Sequence, residues 1–295
     1  MSPLKALGFL LVFLIPATLP AGAWLAAIGV PADLAAWFPL VALFVVLPLA
    51  DYALGHDSAN VPPEQERAFA QSRWFRGLTV MALPVQLGVL AWSGWWFVHA
   101  DLGPAGLAGW LLSQGVVGGV LAINTRNAWR LEAARLRKLG LPALHWRNEL
   151  IGWTAVWLAL AGAMAAWLGP MGLAFFLLQG LFAAGSLEVI NYIEHYGLER
   201  QRLPDGRYER TTHLHSWNSD YRLSNLMLFQ LQRHSDHHAF PKRPYAILRH
   251  HEDSPQLPGG YAAMFVLALV PPLWFRVIHP RVEAFRERLA ATAAA

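Results

Sequence analysis

Eight of the twelve histidines in this chain fall between His195 and His251, and three of them crowd into residues 232–238 (QRHSDHH). The preceding residues 223–231 read as a helix, with Ser224 or Asn225 as its cap. If that helix continues, His234, His237 and His238 share one face at i, i+3 and i+4. Three imidazoles on one face suit a metal ion, and imidazole accepts iron, zinc, copper and nickel alike. His195, about one turn beyond another apolar run, supplies a further candidate ligand. Its neighbour Glu194, and Asp236 inside the triplet, are carboxylates of the kind that orient a ligating imidazole. Glu188 falls at the end of the apolar run itself, where a carboxylate is costly and is therefore a functional candidate. His213 and His215 share one side of an extended 211–217 segment, and Asp205-Gly206 upstream reads as a hairpin turn that could fold them back toward the cluster. A surface role for that pair stays equally open. His56, His99, His145, His279 and the pair His250-His251 read as ordinary surface histidines.

The elements that must hold these groups are apolar. Of 295 residues, 55% are hydrophobic and 14% charged, with a mean hydropathy of +0.33. An ordinary soluble domain carries about 25% charged residues, so this composition describes an integral membrane protein. The absence of cysteine excludes disulfides, thiolate zinc sites and iron–sulfur clusters. Six stretches, 7–28, 35–50, 78–98, 106–123, 150–168 and 171–189, are apolar enough for spans; a bilayer core needs roughly 20 residues of helix. The second is short and carries Pro39 and Pro48.

The basic residues test this map. Lys5 precedes the first span; Arg67, Arg73 and Arg76 lie between the second and third. Arg126, Arg130, Arg135, Arg137, Lys138 and Arg147 lie between the fourth and fifth, and the other 13 follow the sixth. With six spans all 23 fall on one side, which the positive-inside rule makes the cytoplasm. The expected architecture is an all-α integral membrane protein: six transmembrane helices and a cytoplasmic, histidine-rich cap over 190–295. The apolar stretch 260–278, broken by Pro271-Pro272, is expected to lie against the membrane or the bundle. The formal charge of +4 then belongs to cytoplasmic loops and gives no reason to expect nucleic acid. A Walker loop, a zinc-protease HExxH and a dinucleotide GxGxxG are all missing from the sequence.

Two motifs carry a resemblance. Residues 191–198 (NYIEHYGL) and 231–239 (LQRHSDHHA) resemble the third and last histidine motifs of the bacterial alkane monooxygenases, membrane di-iron enzymes related to fatty acid desaturases. Residues 51–64 (DYALGHDSANVPPE) resemble that family's loop after its second span, and 214–225 (LHSWNSDYRLSN) its cytoplasmic hairpin. The resemblance implies location in the bacterial inner membrane with the metal site on the cytoplasmic side. It also implies terminal hydroxylation of medium- or long-chain alkanes with O2 and electrons from a rubredoxin or similar donor. Carried over residue by residue, it assigns His195, His234, His237 and His238 as metal ligands. A related desaturase or lipid hydroxylase, and a scaffold that has lost its activity, are the alternative readings.

One departure bears on the metal. The family carries two earlier histidine boxes, of the forms HELxxHK or HELxHK and EHxxGHH. Here residues 122–125 (AINT) resemble the lead-in to the first, and 126–135 (RNAWRLEAAR) resemble sequence beyond the second. The segment with both boxes is missing at Thr125/Arg126. The family's two irons draw on all four motifs, so four remaining histidines imply one iron here, or none.

Overall fold

Where the sequence runs apolar without interruption, a helix lets each backbone N–H and C=O find a partner within its own segment. The structure, a computed structural model, describes residues 10–11, 14–70, 72–106 and 118–294. Among these residues it is helical and strand-free, with isolated bridges such as Arg202 with Tyr208. The first expected span contains α1 (Leu14–Ala27). The second is interrupted: α2 (Ala32–Ala35), α3 (Phe38–Val41), a π-helical turn (Ala42–Val46) and α4 (Leu47–Leu54). The cause is in the sequence. Pro48 has no N–H to give to the turn before it, and the Leu47 amide reaches back instead to the Ala42 carbonyl, the wider spacing of a π-bulge.

A short helix α5 (Pro63–Ala70) precedes α6 (Arg73–His99), whose 27 residues contain the third expected span. Much of the fourth, residues 107–117, lies outside the described residues. From its end, α7 (Gly118–Lys138) runs as one helix across Thr125 and Arg126. Its charged end is tied down: Arg135 pairs with Glu132 at 2.6 Å and donates to the Arg147 carbonyl at 2.9 Å. Asn148 then caps the next helix, its Oδ1 accepting from the Leu150 amide at 2.9 Å.

That next element, α8 (Glu149–His195), is 47 residues long but breaks at Gly169, whose φ of 67° and ψ of −161° are not helical. Pro170 follows and cannot continue the hydrogen-bond ladder. The Trp157 and Phe176 rings lie 5.8 Å apart, whereas an unbroken helix would separate those positions by roughly 28 Å. The chain therefore doubles back, and the fifth and sixth expected spans form a helical hairpin with Gly169 at its tip. Two stretches among the described residues, Ala32–Leu54 and Glu149–His195, are long and apolar enough to cross a membrane.

The chain divides into two compact units. One comprises Leu19–Phe38 and Leu87–Glu188 and buries Phe97, Ala161, Met164, Phe175 and Phe176 together. The other comprises Met1–Thr18, Pro39–Gln86 and Val189–Ala295. Its apolar core joins Ile193 and Trp217 to the C-terminal helices α11 (Tyr261–Ala268) and α12 (Pro271–Ala294), here numbered after two short helices described below. The proline-broken 260–278 stretch is thus two helices, and Tyr261, Met264, Phe265, Trp274 and Ile278 bury in the same cluster as Ile193.

Gly197, just past the end of α8, has φ of 73°, and a Cβ there would sit 2.8 and 2.9 Å from the two Val282 methyls. Gly197→Ala adds backbone strain to a collision in a packed core, and is expected to cost about 2–4 kcal/mol. Thermal unfolding should show that loss, with Val282→Ala restoring the steric part and not the backbone part. A Gly197→Ala protein as stable as the parent would contradict this account.

Candidate metal centre

The ligand segments come from two places. The C-terminal end of α8 carries Glu194 and His195. The other segment begins with α9 (Arg222–Met227), which stops four residues short of the helix expected over 223–231. Phe229 and Gln230 then take left-handed φ values of 50° and 64°, held by a 2.6 Å bond from the Gln230 side chain to the Ala246 carbonyl. A new helix, α10 (His234–Ala239), starts at the first histidine.

This arrangement brings His195, His234 and His238 together. The Nε2 of His238 lies 3.0 Å from that of His195 and 2.8 Å from that of His234. The Nδ1 of His195 faces the Asn191 carbonyl at 2.9 Å, so in the neutral ring it carries the proton and Nε2 presents a lone pair. One proton on His238 Nε2 can satisfy one of its two contacts and not the other. Converging nitrogens of this kind fit a cation, and among the described residues these three histidines form a group able to hold one. Burial, with the neighbouring imidazoles adding to it, pushes the pKa of His234 down to about 2 and that of His238 to about 4. Both rings are therefore neutral at pH 7, the form that ligates metal.

Glu194 touches this group at one member, His234. It is 4% exposed; its Oε2 is 3.1 Å from His234 Nε2, and its Oε1 accepts from the Tyr261 hydroxyl at 2.7 Å. Tyr261 is a site residue the sequence reading missed; the only local signal was a phenol at the first turn of an otherwise apolar helix. His237 is not in the converging group. Its ring lies 5.0 Å from that of Tyr245, and its Nδ1 is buried without a hydrogen-bond partner among the described residues, as is that of His234.

Asp236 faces the opposite way and anchors α10. It is fully buried, takes both contacts of Arg243 at 2.7 and 2.6 Å, and accepts from the Arg249 amide at 3.0 Å and from His251 at 2.8 Å. Burial opposes its ionisation, but the His251, Arg249 and Arg243 contacts outweigh that and hold its pKa below the ordinary carboxylate value. Next to it, Arg233 is 1% exposed and pairs with Asp220 at 3.0 Å. It also donates to the Leu248 carbonyl at 2.9 Å and the Asp57 carbonyl at 2.6 Å.

The Asp205-Gly206 turn forms, with Gly206 at φ of 81°, but it does not deliver His213 or His215 to the cluster. His215 bonds to Glu209 at 3.1 Å, and His213 to Asp253 at 2.8 Å. His213 stacks on His251 with centroids 4.5 Å apart and planes 14° from parallel. Nearly parallel stacked rings cannot aim their in-plane lone pairs at one nearby ion, so the grouping of His213, His251 and Asp253 is better explained by ion pairing. His250 pairs with Asp220 at 2.7 Å, so it and His251 brace the cap rather than lie free on its surface. Glu188 is half-buried on α8, in the other compact unit.

Helices that bring three histidines to one point, one of them buried, make a group able to hold a metal ion, and residues 105–268, more than half of the chain, match the fatty acid desaturase family. The curated relatives narrow this. The chain is 39% identical to alkane 1-monooxygenase 2 of Pseudomonas aeruginosa, over 84% of each chain. It is 38% identical to alkane 1-monooxygenase 1 of the same organism, over 97% of this chain and 93% of the relative. The protein belongs to the alkane 1-monooxygenase family. A more distant match, 30% identical over 57% of this chain and 44% of the relative, is the xylene/toluene monooxygenase hydroxylase component XylM of Pseudomonas putida. The match to alkane 1-monooxygenase 1 runs over 356 positions. This chain has 295 residues, so at least 61 of those positions have no counterpart here.

Proposed function

We propose that the protein hydroxylates the terminal carbon of alkanes with O2, as a multi-pass enzyme of the bacterial inner membrane that takes electrons from a rubredoxin or a similar donor. Six spans, about 7–28, 35–50, 78–98, 106–123, 150–168 and 171–189, would place the 190–295 cap on the cytoplasmic side. The observation that carries this reading is the convergence of His195, His234 and His238 in a chain similar to named alkane 1-monooxygenases over nearly its whole length. Those three histidines would hold iron, which when bound supplies the oxygen chemistry. The protein's own part is orientation. The Asn191 carbonyl fixes the His195 ring, and the Asp236 anchor fixes the helix that presents His234 and His238.

The two irons of the family need ligands from all four motifs, and we place the lost positions at Thr125/Arg126, with the first two boxes among them. One iron is the complement that remains. The same loss favours a second reading, a scaffold that has kept its fold and given up the reaction. Cells expressing the chain with a rubredoxin system and fed n-octane should form 1-octanol above the empty-host background. Unsaturated acyl products instead would point to a desaturase. The absence of both, with no iron in the purified protein, would leave the scaffold reading.

A further inference from the structure

Residues 260–275 (GYAAMFVLALVPPLWF) hold no charged side chain, and they fold as the elbow between α11 and α12. Two sets of contacts fix the direction of that elbow. At the start of α11, Gly260 sits so close to Asp51 that a Cβ would lie 2.5 Å from its Oδ2. Five residues on, Phe265 stacks on Phe44 with ring centroids 4.9 Å apart. α11 therefore runs antiparallel along Ala32–Leu54, a stretch long and apolar enough to cross a membrane, and descends it from Asp51 toward its middle. On the way back, the Trp274 ring lies 5.3 Å from that of Tyr192, and Val282 reaches Gly197, so α12 climbs beside the end of α8. The elbow is the far end of both runs.

Its surface is apolar: Val266, Leu269, Val270, Leu273 and Phe275 are 40–57% exposed. Its backbone is closed. The Leu269 and Val270 amides donate to the Phe265 and Leu267 carbonyls at 3.2 and 3.1 Å, and those of Leu273 and Trp274 both reach the Val270 carbonyl at 3.0 Å. Pro271 and Pro272 have no N–H to leave unpaired. A helix start ordinarily leaves four such donors without a partner. At the start of α12 none is left over, the condition that a turn must meet in hydrocarbon. Length then sets the depth. From Tyr261 to Val270 a helix covers about 14 Å, half of the roughly 30 Å hydrocarbon core, so the hairpin can enter a bilayer without crossing it.

We infer that the α11–α12 elbow is a re-entrant hairpin, with Leu269, Val270 and Leu273 among the acyl chains of the leaflet on the cap's side. The inference rests on the proposed topology, in which the second span lies in the bilayer, and not on metal or turnover. The chain has no cysteine, so Leu269→Cys, Leu273→Cys, Val45→Cys and Ala290→Cys can each carry one nitroxide in the full chain, reconstituted in phosphatidylcholine–phosphatidylglycerol vesicles. Relaxation by O2, which concentrates in lipid, is compared with relaxation by a water-soluble nickel chelate. The ratio of the two at positions 269 and 273 should be close to that at Val45, an exposed residue of the second span, and severalfold above that at Ala290, exposed near the end of α12. Should Leu269→Cys fail to fold, Val270→Cys is read in its place. Ratios at 269 and 273 equal to that at 290, with position 45 in lipid, would overturn the inference and leave the topology standing. Protection from both reagents, with spin–spin coupling between chains, would overturn it in favour of a contact between two copies. A ratio at position 45 equal to that at 290 removes the second span from the bilayer and the inference with it.

Discussion

On the proposed loss of two histidine boxes at Thr125/Arg126, restoring the corresponding segment of alkane 1-monooxygenase 1 there should raise bound iron from about one to about two per chain. Alkanol formation should rise by about a hundredfold or more. The size of the effect follows from what the ligands do: stabilising reactive oxygen at a metal is worth several kcal/mol of barrier, and each 1.4 kcal/mol is tenfold in rate. The insertion point lies within α7, which runs helical from Gly118 to Lys138, so the restored segment leaves and re-enters that helix. Elemental analysis and gas chromatography of octane-fed cells measure the two quantities separately. Iron that stays at one per chain after insertion would place the missing ligands elsewhere.

Replacing Arg233 should have the largest effect on stability. Its guanidinium, 1% exposed, holds Asp220 and the carbonyls of Asp57 and Leu248. Arg233→Met keeps the length of the side chain and removes the charge, leaving Asp220, 5% exposed, with His250 as its side-chain partner among the described residues. Breaking a buried ion pair from one side costs about 3–5 kcal/mol, which corresponds to a fall in Tm of about 6–20 °C for a unit of this size. Arg233→Lys should recover little, because an ammonium cannot reach the separate acceptors that the guanidinium fork does. A fall of under 2 °C in Arg233→Met would refute the role given to this pair.

The histidine cluster was legible in the sequence because its residues are concentrated, and the structure brings those at 195, 234 and 238 together. The i, i+4 relation of His234 to His238 holds in the structure because α10 begins at His234. The longer helix expected before it does not form. Its break falls at Phe229 and Gln230, neither of them a residue that signals left-handed backbone, and the stabilising bond comes from Ala246, sixteen positions later. A tertiary contact of that kind leaves no local mark. The same holds for His213 and His215, whose partners Asp253 and Glu209 are visible only once the loops close, and for Tyr261, which reads as one more apolar helix residue until its hydroxyl meets Glu194. The Gly169-Pro170 tip was readable because both residue types oppose helix directly.

The reach of Arg233 has a consequence for biosynthesis. Its acceptor at Asp57 lies 176 residues earlier, so a ribosome adding 5–20 residues per second needs about 9–35 s to bring one to the other. During that interval the loop after α4 has been translated and waits without its partner, while the α8 hairpin emerges between them. The proposed ligands straddle the same delay, since His195 appears before the helix that carries His234 and His238. On the proposed metal centre, metallation would be a closing event: the nascent polypeptide offers one imidazole of the cluster, and only the nearly finished protein offers all three.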